Sequence, residues 1–160
     1  MTLEEFRKEI EKLKSSEKYL YNGSYILPAL WIAEKNFSAI TPEIMRTIAD
    51  VLGVRLIEVE EAAEFYAMFH TKPKGRYVIR VCTNLSCMLR GGEEILEKFC
   101  DLLGISPGET TEDGLFTVEI SECMGLCDGA PAVTVNEERF LNVTPEKVPE
   151  ILKKFGWKGK

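Results

Sequence analysis

Val-Cys-Thr-Asn-Leu-Ser-Cys at 81–87 and Cys-Met-Gly-Leu-Cys at 123–127 hold four of the chain's five cysteines, as one C-x4-C pair and one C-x3-C pair. Each pair follows a run with strand character. Tyr77 to Val81 is short and β-branched with no helical stripe, and Phe116, Val118 and Ile120 alternate with Thr117, Glu119 and Ser121, the period of a half-buried strand. Between them the spacing predicts a loop over 82–92. A helix then opens at Gly92, carries Ile95, Leu96, Phe99, Cys100 and Leu103 on one face, and stops at Gly104. A strand, a crossover helix and a second strand form a right-handed unit whose strands are parallel, so their carboxyl ends share one edge. Cys82 closes the first strand and Cys123 follows the second. Two cysteine pairs distant in sequence therefore meet where open α/β sheets place their ligands.

Four converging thiols admit several metal centres. Zinc ribbons and fingers usually grip with tight C-x2-C knuckles, and neither pair has that spacing. A [4Fe-4S] cluster could use the same residues, although its commoner signal is a compact C-x2-C run. A Rieske centre needs two histidines, and the chain has only His70. A binuclear [2Fe-2S] cluster suits two separated pairs: Cys82 and Cys87 on one iron, Cys123 and Cys127 on the other. Gly91, Gly92, Gly125 and Gly129 would let backbone N–H groups approach the sulfurs, or serve only as turns and helix stops. Leu85, Met88 and Leu126 are candidates to screen the centre from water. Cys100, on the apolar helical face, is expected to be a core residue and not a ligand.

Past Ser121, Ala132 to Val135 and Phe140 to Val143 read as a hairpin joined by the polar stretch 136–139. A last helix is expected from the start signal Thr144-Pro145-Glu146, burying Val148, Ile151, Leu152 and Phe155 before Gly156. This half is a βαββα arrangement.

Toward the N-terminus the pattern turns helical. Thr2 with Glu5 is a capping box before Leu3, Phe6, Ile10 and Leu13, predicting a helix over 2–14. A second helix runs through Pro28, Leu30, Trp31 and Ala33 after the turn-like Asn22-Gly23-Ser24. A third starts at Thr41-Pro42-Glu43 and ends at Gly53, and a fourth is expected from Leu56 to Phe69 with Val59, Ala62, Ala63, Tyr66 and Phe69 on one face. The breaker-rich Thr71-Lys72-Pro73-Lys74-Gly75 marks the boundary between a helical bundle over 1–72 and a second domain over 73–160. The fold class is α+β.

Composition excludes several functions. The chain has 160 residues and a formal net charge of −6, and its sequence pI is near 5.0, against a nucleic-acid footprint. The fourth helix carries Glu58, Glu60, Glu61 and Glu64 and no Lys or Arg, which would repel phosphates in a helix-turn-helix. No apolar run approaches the roughly 20 residues that cross a bilayer, so no transmembrane segment is expected. Met1-Thr2-Leu3-Glu4-Glu5 is no signal peptide, and a cytoplasmic setting is expected. Clustered cysteines there more often bind metal than form disulfides. There is no G-x-G-x-x-G, no P-loop and no spaced His and carboxylates, so the chain has no hydride or hydrolytic chemistry of its own.

The cysteine loops, with Cys123-Met124-Gly125-Leu126-Cys127-Asp128-Gly129-Ala130-Pro131, closely resemble the thioredoxin-like [2Fe-2S] subunit of NADH dehydrogenases. So do Leu27-Pro28-Ala29-Leu30, Val51-Leu52-Gly53-Val54 and Glu64-Phe65-Tyr66-Ala67-Met68-Phe69. The family includes the E subunit of NADH:quinone oxidoreductase and small subunits of NAD-linked electron-bifurcating hydrogenases. The resemblance runs from about residue 20 to 155. It implies a thioredoxin-like ferredoxin domain, with Cys82, Cys87, Cys123 and Cys127 as ligands of one [2Fe-2S] cluster. It also implies a partner flavoprotein subunit holding FMN, NAD(H) and a [4Fe-4S] cluster, and a further iron-sulfur subunit. The expected role is electron transfer within an NAD-linked oxidoreductase complex, the chain not being catalytic alone. Asn36-Phe37-Ser38, where relatives often have glycine, and Glu61-Ala62-Ala63-Glu64, where they have a Val-Gly-Val lead, depart from the pattern in the helical half.

Overall fold

A computed structural model describes residues 1–16 and 18–159. The chain divides into two compact units, Met1–Pro73 and Lys74–Lys160.

The first unit is helical. α1 (Leu3–Lys14) opens on the capping box, with Glu5 N–H donating to Thr2 Oγ1 at 3.2 Å and Thr2 N–H to Glu5 Oε2 at 2.8 Å. A single 3₁₀ turn, Asn22–Tyr25, leads into α2 (Ile26–Asn36), where Pro28 falls within the first turn, the place where a missing N–H costs no helical bond. α3 (Pro42–Leu52) has Thr41 as N-cap and ends at Gly53 in the left-handed region, φ 69°. Lys14 Nζ donates to the last carbonyls of α3, Val51 O at 2.9 Å and Leu52 O at 3.1 Å, so one helix caps another. α4 spans Leu56–Phe65. Phe6, Ile10, Leu30, Ile48, Leu52 and Val59 are fully buried at the centre of this unit.

α4 is shorter than its apolar stripe predicts. Tyr66 turns extended, at φ −92° and ψ 115°. The next residues exchange helical hydrogen bonds for tertiary ones: Ile40 N–H donates to His70 O, and His70 N–H and Nδ1 meet the two oxygens of Glu34. Phe69 still reaches the core, but from a turn.

The second unit is a sheet with helices packed on it. Its four strands among the described residues run β2-β1-β3-β4: β1 (Tyr77–Cys82), β2 (Phe116–Ser121), β3 (Val133–Val135) and β4 (Glu138–Phe140). β1 and β2 are parallel, in register from Tyr77↔Phe116 to Cys82↔Ser121, as the crossover demands. β3 lies antiparallel to β1, and β4 to β3. In this unit α5 (Leu85–Met88) is a single short turn after β1, and α6 (Gly92–Leu103) and α7 (Val148–Lys154) cover a core of Ile79, Val81, Ile95, Phe99, Phe116, Val118, Val133, Val135, Val148 and Leu152.

The pattern erred in four places here. The loop after β1 contains the short helix α5 (Leu85–Met88), held by Asn84. The hairpin turns on only Asn136 and Glu137, because Asn136 adopts φ 53°. Asparagine tolerates that region, which a tight two-residue turn needs, and β4 begins two residues early. α7 starts at Val148 and not after Thr144, because Pro149 could not donate to Pro145 O inside a continuous helix. Lys147 N–H instead closes a turn onto Thr144 O at 3.0 Å, which puts Pro149 in the first turn of α7. Finally Ile120 is 58% exposed on the edge strand β2, while Thr117, expected outward, is buried. Thr117 Oγ1 accepts from Gly75 N–H at 2.7 Å and bonds the Thr110 hydroxyl.

No helix among the described residues is long and apolar enough to cross a membrane.

Candidate metal centre

β1 delivers Cys82 as its last residue, and its parallel register with β2 sets Cys82 opposite Ser121, two residues before Cys123. The two loops are then stitched together. Asn84 Oδ1 accepts from Leu85 N–H at 2.9 Å, starting α5, while its Nδ2 donates to Glu122 Oε2 at 3.0 Å. Cys82 N–H bonds Ala132 O at 3.1 Å, and Thr83 N–H reaches Ser121 O.

α5 turns Cys87 inward. Cys82 and Cys87, 2% and 1% exposed, share a small cluster with Ala130 and Ala132, against which Met124 and Leu126 pack. Cys123 and Cys127 are exposed, with their sulfurs 3.5 Å apart. Ser86, beside Cys87, offsets part of the upward shift of the Cys127 thiol. The structure thus brings all four thiols to one edge as two pairs, one beneath and one at the surface. Among the described residues no group of three or more His, Cys, Asp or Glu side chains is placed so that it could hold a metal ion.

The thiols differ electrostatically. Burial pushes the Cys87 thiol up; the Ala132 N–H pulls it back, and neighbouring Cys82 and Cys127 raise it further. Cys127 is raised chiefly by its hydrogen bond to Cys123 and that group's charge. Cys123 is lowered, first by the Gly125 N–H and then by Cys127. Gly125 sits at φ 71°, a conformation that turns its amide toward the sulfur.

Gly92 is required by space. A Cβ there would lie 2.7 Å from Cys82 O and 2.9 Å from Cys87 O, so α6 starts against the peptide carbonyls of the buried pair. A Cβ at Gly129 would instead meet a side chain, lying 2.8 Å from the Leu141 Cβ.

Of the three residues expected to screen the centre, Leu85 and Met88 are exposed, since Cys87 takes the inward face of α5, while Leu126 packs against the buried pair. Met124 joins Leu126 in that role. Cys100 packs against the sheet core, half-buried, and stands apart from the four. Asn84, Ser86 and Glu122 carry no ligand signature in the sequence; the one available signal was Asn84 as a helix N-cap inside the first cysteine loop.

The donor set is all sulfur, the set iron-sulfur clusters take. The sequence profile of the thioredoxin-like [2Fe-2S] ferredoxin family matches residues 11–156. The chain belongs to this family. Among curated relatives of this ferredoxin, it is 39% identical over 149 residues to the E 2 subunit of NADH-quinone oxidoreductase from Rhizobium meliloti, covering 93% of this chain and 88% of that one. It is 38% identical over 146 residues to the E subunit of NADH-quinone oxidoreductase from Mycobacterium bovis, covering 91% of this chain but 58% of that protein. Among solved structures, an NAD+-reducing [NiFe]-hydrogenase shares the fold, with a TM-score of 0.72 at 23% identity over 82% of this chain and 22% of the hydrogenase chain.

Proposed function

We propose that this ferredoxin is the electron-transfer subunit of an NAD-linked oxidoreductase complex. Cys82 and Cys87 would hold one iron and Cys123 and Cys127 the other. Bound there, a [2Fe-2S] cluster supplies one-electron chemistry. The convergence of four thiols in two pairs on one sheet edge carries this reading.

The chain's own residues do the rest. The strand end and α5 fix the buried pair, while Ala132 and Gly125 direct hydrogen bonds at two of the sulfurs. Such bonds favour the charged thiolates and tune the potential. The chain leaves one side of the edge open, with Cys123 and Cys127 exposed, as are Leu85, Leu89 and Ile120 on the neighbouring elements. That opening suits electron exchange with a cofactor held by another subunit. The partner is an FMN- and NAD(H)-binding flavoprotein subunit that itself holds a [4Fe-4S] cluster. In this assembly hydride chemistry belongs to the flavin, and the chain receives electrons singly.

Protein purified without oxygen and reduced with dithionite tests this. About two irons and two labile sulfides per chain, with an S = 1/2 EPR signal, are expected. Zinc in place of iron would overturn it. Serine at any of the four positions should change the spectrum, and serine at Cys100 should not.

A further inference from the structure

The two cysteine loops are joined by a side-chain tie in which no thiol takes part. Asn84 is spent at both ends of its amide: Oδ1 accepts from Leu85 N–H at 2.9 Å, and Nδ2 donates to Glu122 Oε2 at 3.0 Å. The backbone of Glu122 is fixed as well. Ser121 Oγ donates to Glu122 O at 2.9 Å, and Ser121 is the end of β2, in register with Cys82. Both Asn84 and Glu122 are exposed. A surface glutamate gives up much rotamer freedom when it is held, so a carboxylate pinned at one place is not the default.

The partner that pins it is neutral. A lysine or arginine in the place of Asn84 would cancel the charge of Glu122, whereas an amide fixes the carboxylate and leaves its charge in full. Glu122 directly precedes Cys123, and its charge is felt there, opposing the Gly125 N–H and Cys127, which favour the thiolate. A [2Fe-2S] centre takes on one more negative charge when it is reduced. A carboxylate held beside a ligand sulfur therefore raises the energy of the reduced form above that of the oxidised form. A carboxylate free to swing into water would lose most of that effect to the solvent.

We propose that Glu122, held by Asn84, sets the reduction potential of the centre: its fixed negative charge beside Cys123 makes the centre harder to reduce. Asn84 is the positioning residue, keeping that charge in place without neutralising it. This rests on the reading that the four thiols hold a [2Fe-2S] cluster. Its consequence is directional: an electron that reaches the chain is held loosely and handed back readily.

The test is a redox titration of the full-length, cluster-loaded chain at fixed pH and low salt, with the EPR signal reporting the fraction reduced. At a set potential Glu122→Gln should raise the ratio of reduced to oxidised centre about tenfold, equal to about 59 mV for one electron. Asn84→Ser keeps a good N-cap for α5 but drops the amide, so the carboxylate swings free and a smaller rise of about threefold is expected. Asn84→Asp keeps the cap and adds a second charge, so the ratio should fall by about threefold. The opposite signs are the signature, because loosening of the loops alone would move all three variants the same way. Added to Glu122→Gln, Asn84→Ser should change nothing further, since no charge is left to position. Raising the salt should shrink the Glu122→Gln shift, as both residues are exposed. Loaded variants that keep the potential of the parent chain overturn this inference and leave the cluster assignment standing, as do shifts of one sign in Glu122→Gln and Asn84→Asp. Loss of the cluster from all three single variants also overturns it, making the tie a structural one only. A parent chain that binds zinc, or no metal, overturns the cluster reading and this inference with it.

Discussion

The two cysteine pairs answer one chemical demand in opposite ways. Cys82 and Cys87 are built from the inside: a central strand ends in one, a capped turn of helix drives the other under the surface, and α6 abuts both carbonyls. Cys123 and Cys127 are built from the outside, on a loop whose shape comes from a left-handed glycine and from the sulfurs' mutual hydrogen bond. The hydrophobic core positions the first pair and local backbone geometry the second. A change in the core should therefore be felt by one pair, and a change in the loop by the other.

The same substitution in each loop gives the sharpest contrast. Gly92→Ala must push Cβ into two carbonyl oxygens under 3.0 Å away, and should cost about 3 kcal/mol in urea unfolding, the upper end of ordinary overpacking. Gly125→Ala meets open space and suffers only from φ 71°, so about 1 kcal/mol is expected. Equal losses would mean the pairs are not supported differently. Between them falls Asn84→Ala, which removes the α5 cap and the link to Glu122. About 1 to 2 kcal/mol is expected, with disturbance of both pairs.

The smallest effect is kinetic. In metal-free protein, iodoacetamide should alkylate Cys123 first, because it is exposed and its thiol is lowered by Gly125 and Cys127. Cys87, buried and raised, should be last and should need the highest pH. As pH falls, Cys123 keeps its thiolate longest. Mass spectrometry of a labelling time course checks the order. Loading the cluster should protect all four and leave Cys100 unchanged.

Much of this design could be read in the sequence, because its signals were local. The capping box at Thr2 and Glu5, the Thr41-Pro42 start with its Gly53 stop, and Gly92 with Gly104 each mark a helix by the hydrogen bonds its ends lack. The meeting of the cysteine loops followed from the handedness of one crossover. What escaped was decided by tertiary contact or by a single backbone angle. α4 stops early because His70 bonds Glu34 and Ile40, partners no window of sequence contains. α5 is too short to show a period. Pro149 was legible, but the stronger Thr144-Pro145 start signal hid it. Ile120 alternates correctly and is still exposed, because it lies near the end of β2, an edge strand with a neighbour on one side only.

The near-contact of Gly92 with the carbonyls of Cys82 and Cys87 has a dynamic meaning. A helix lodged this tightly cannot drift without carrying two sulfurs along, and α6 is itself fixed by Ile95 and Phe99 in the sheet core. The buried thiols therefore inherit the stiffness of the whole domain. A centre that must accept and release charge many times gains from ligands that barely rearrange when the charge changes. One missing methyl group at the start of a helix is what allows that rigidity to reach the sulfur atoms.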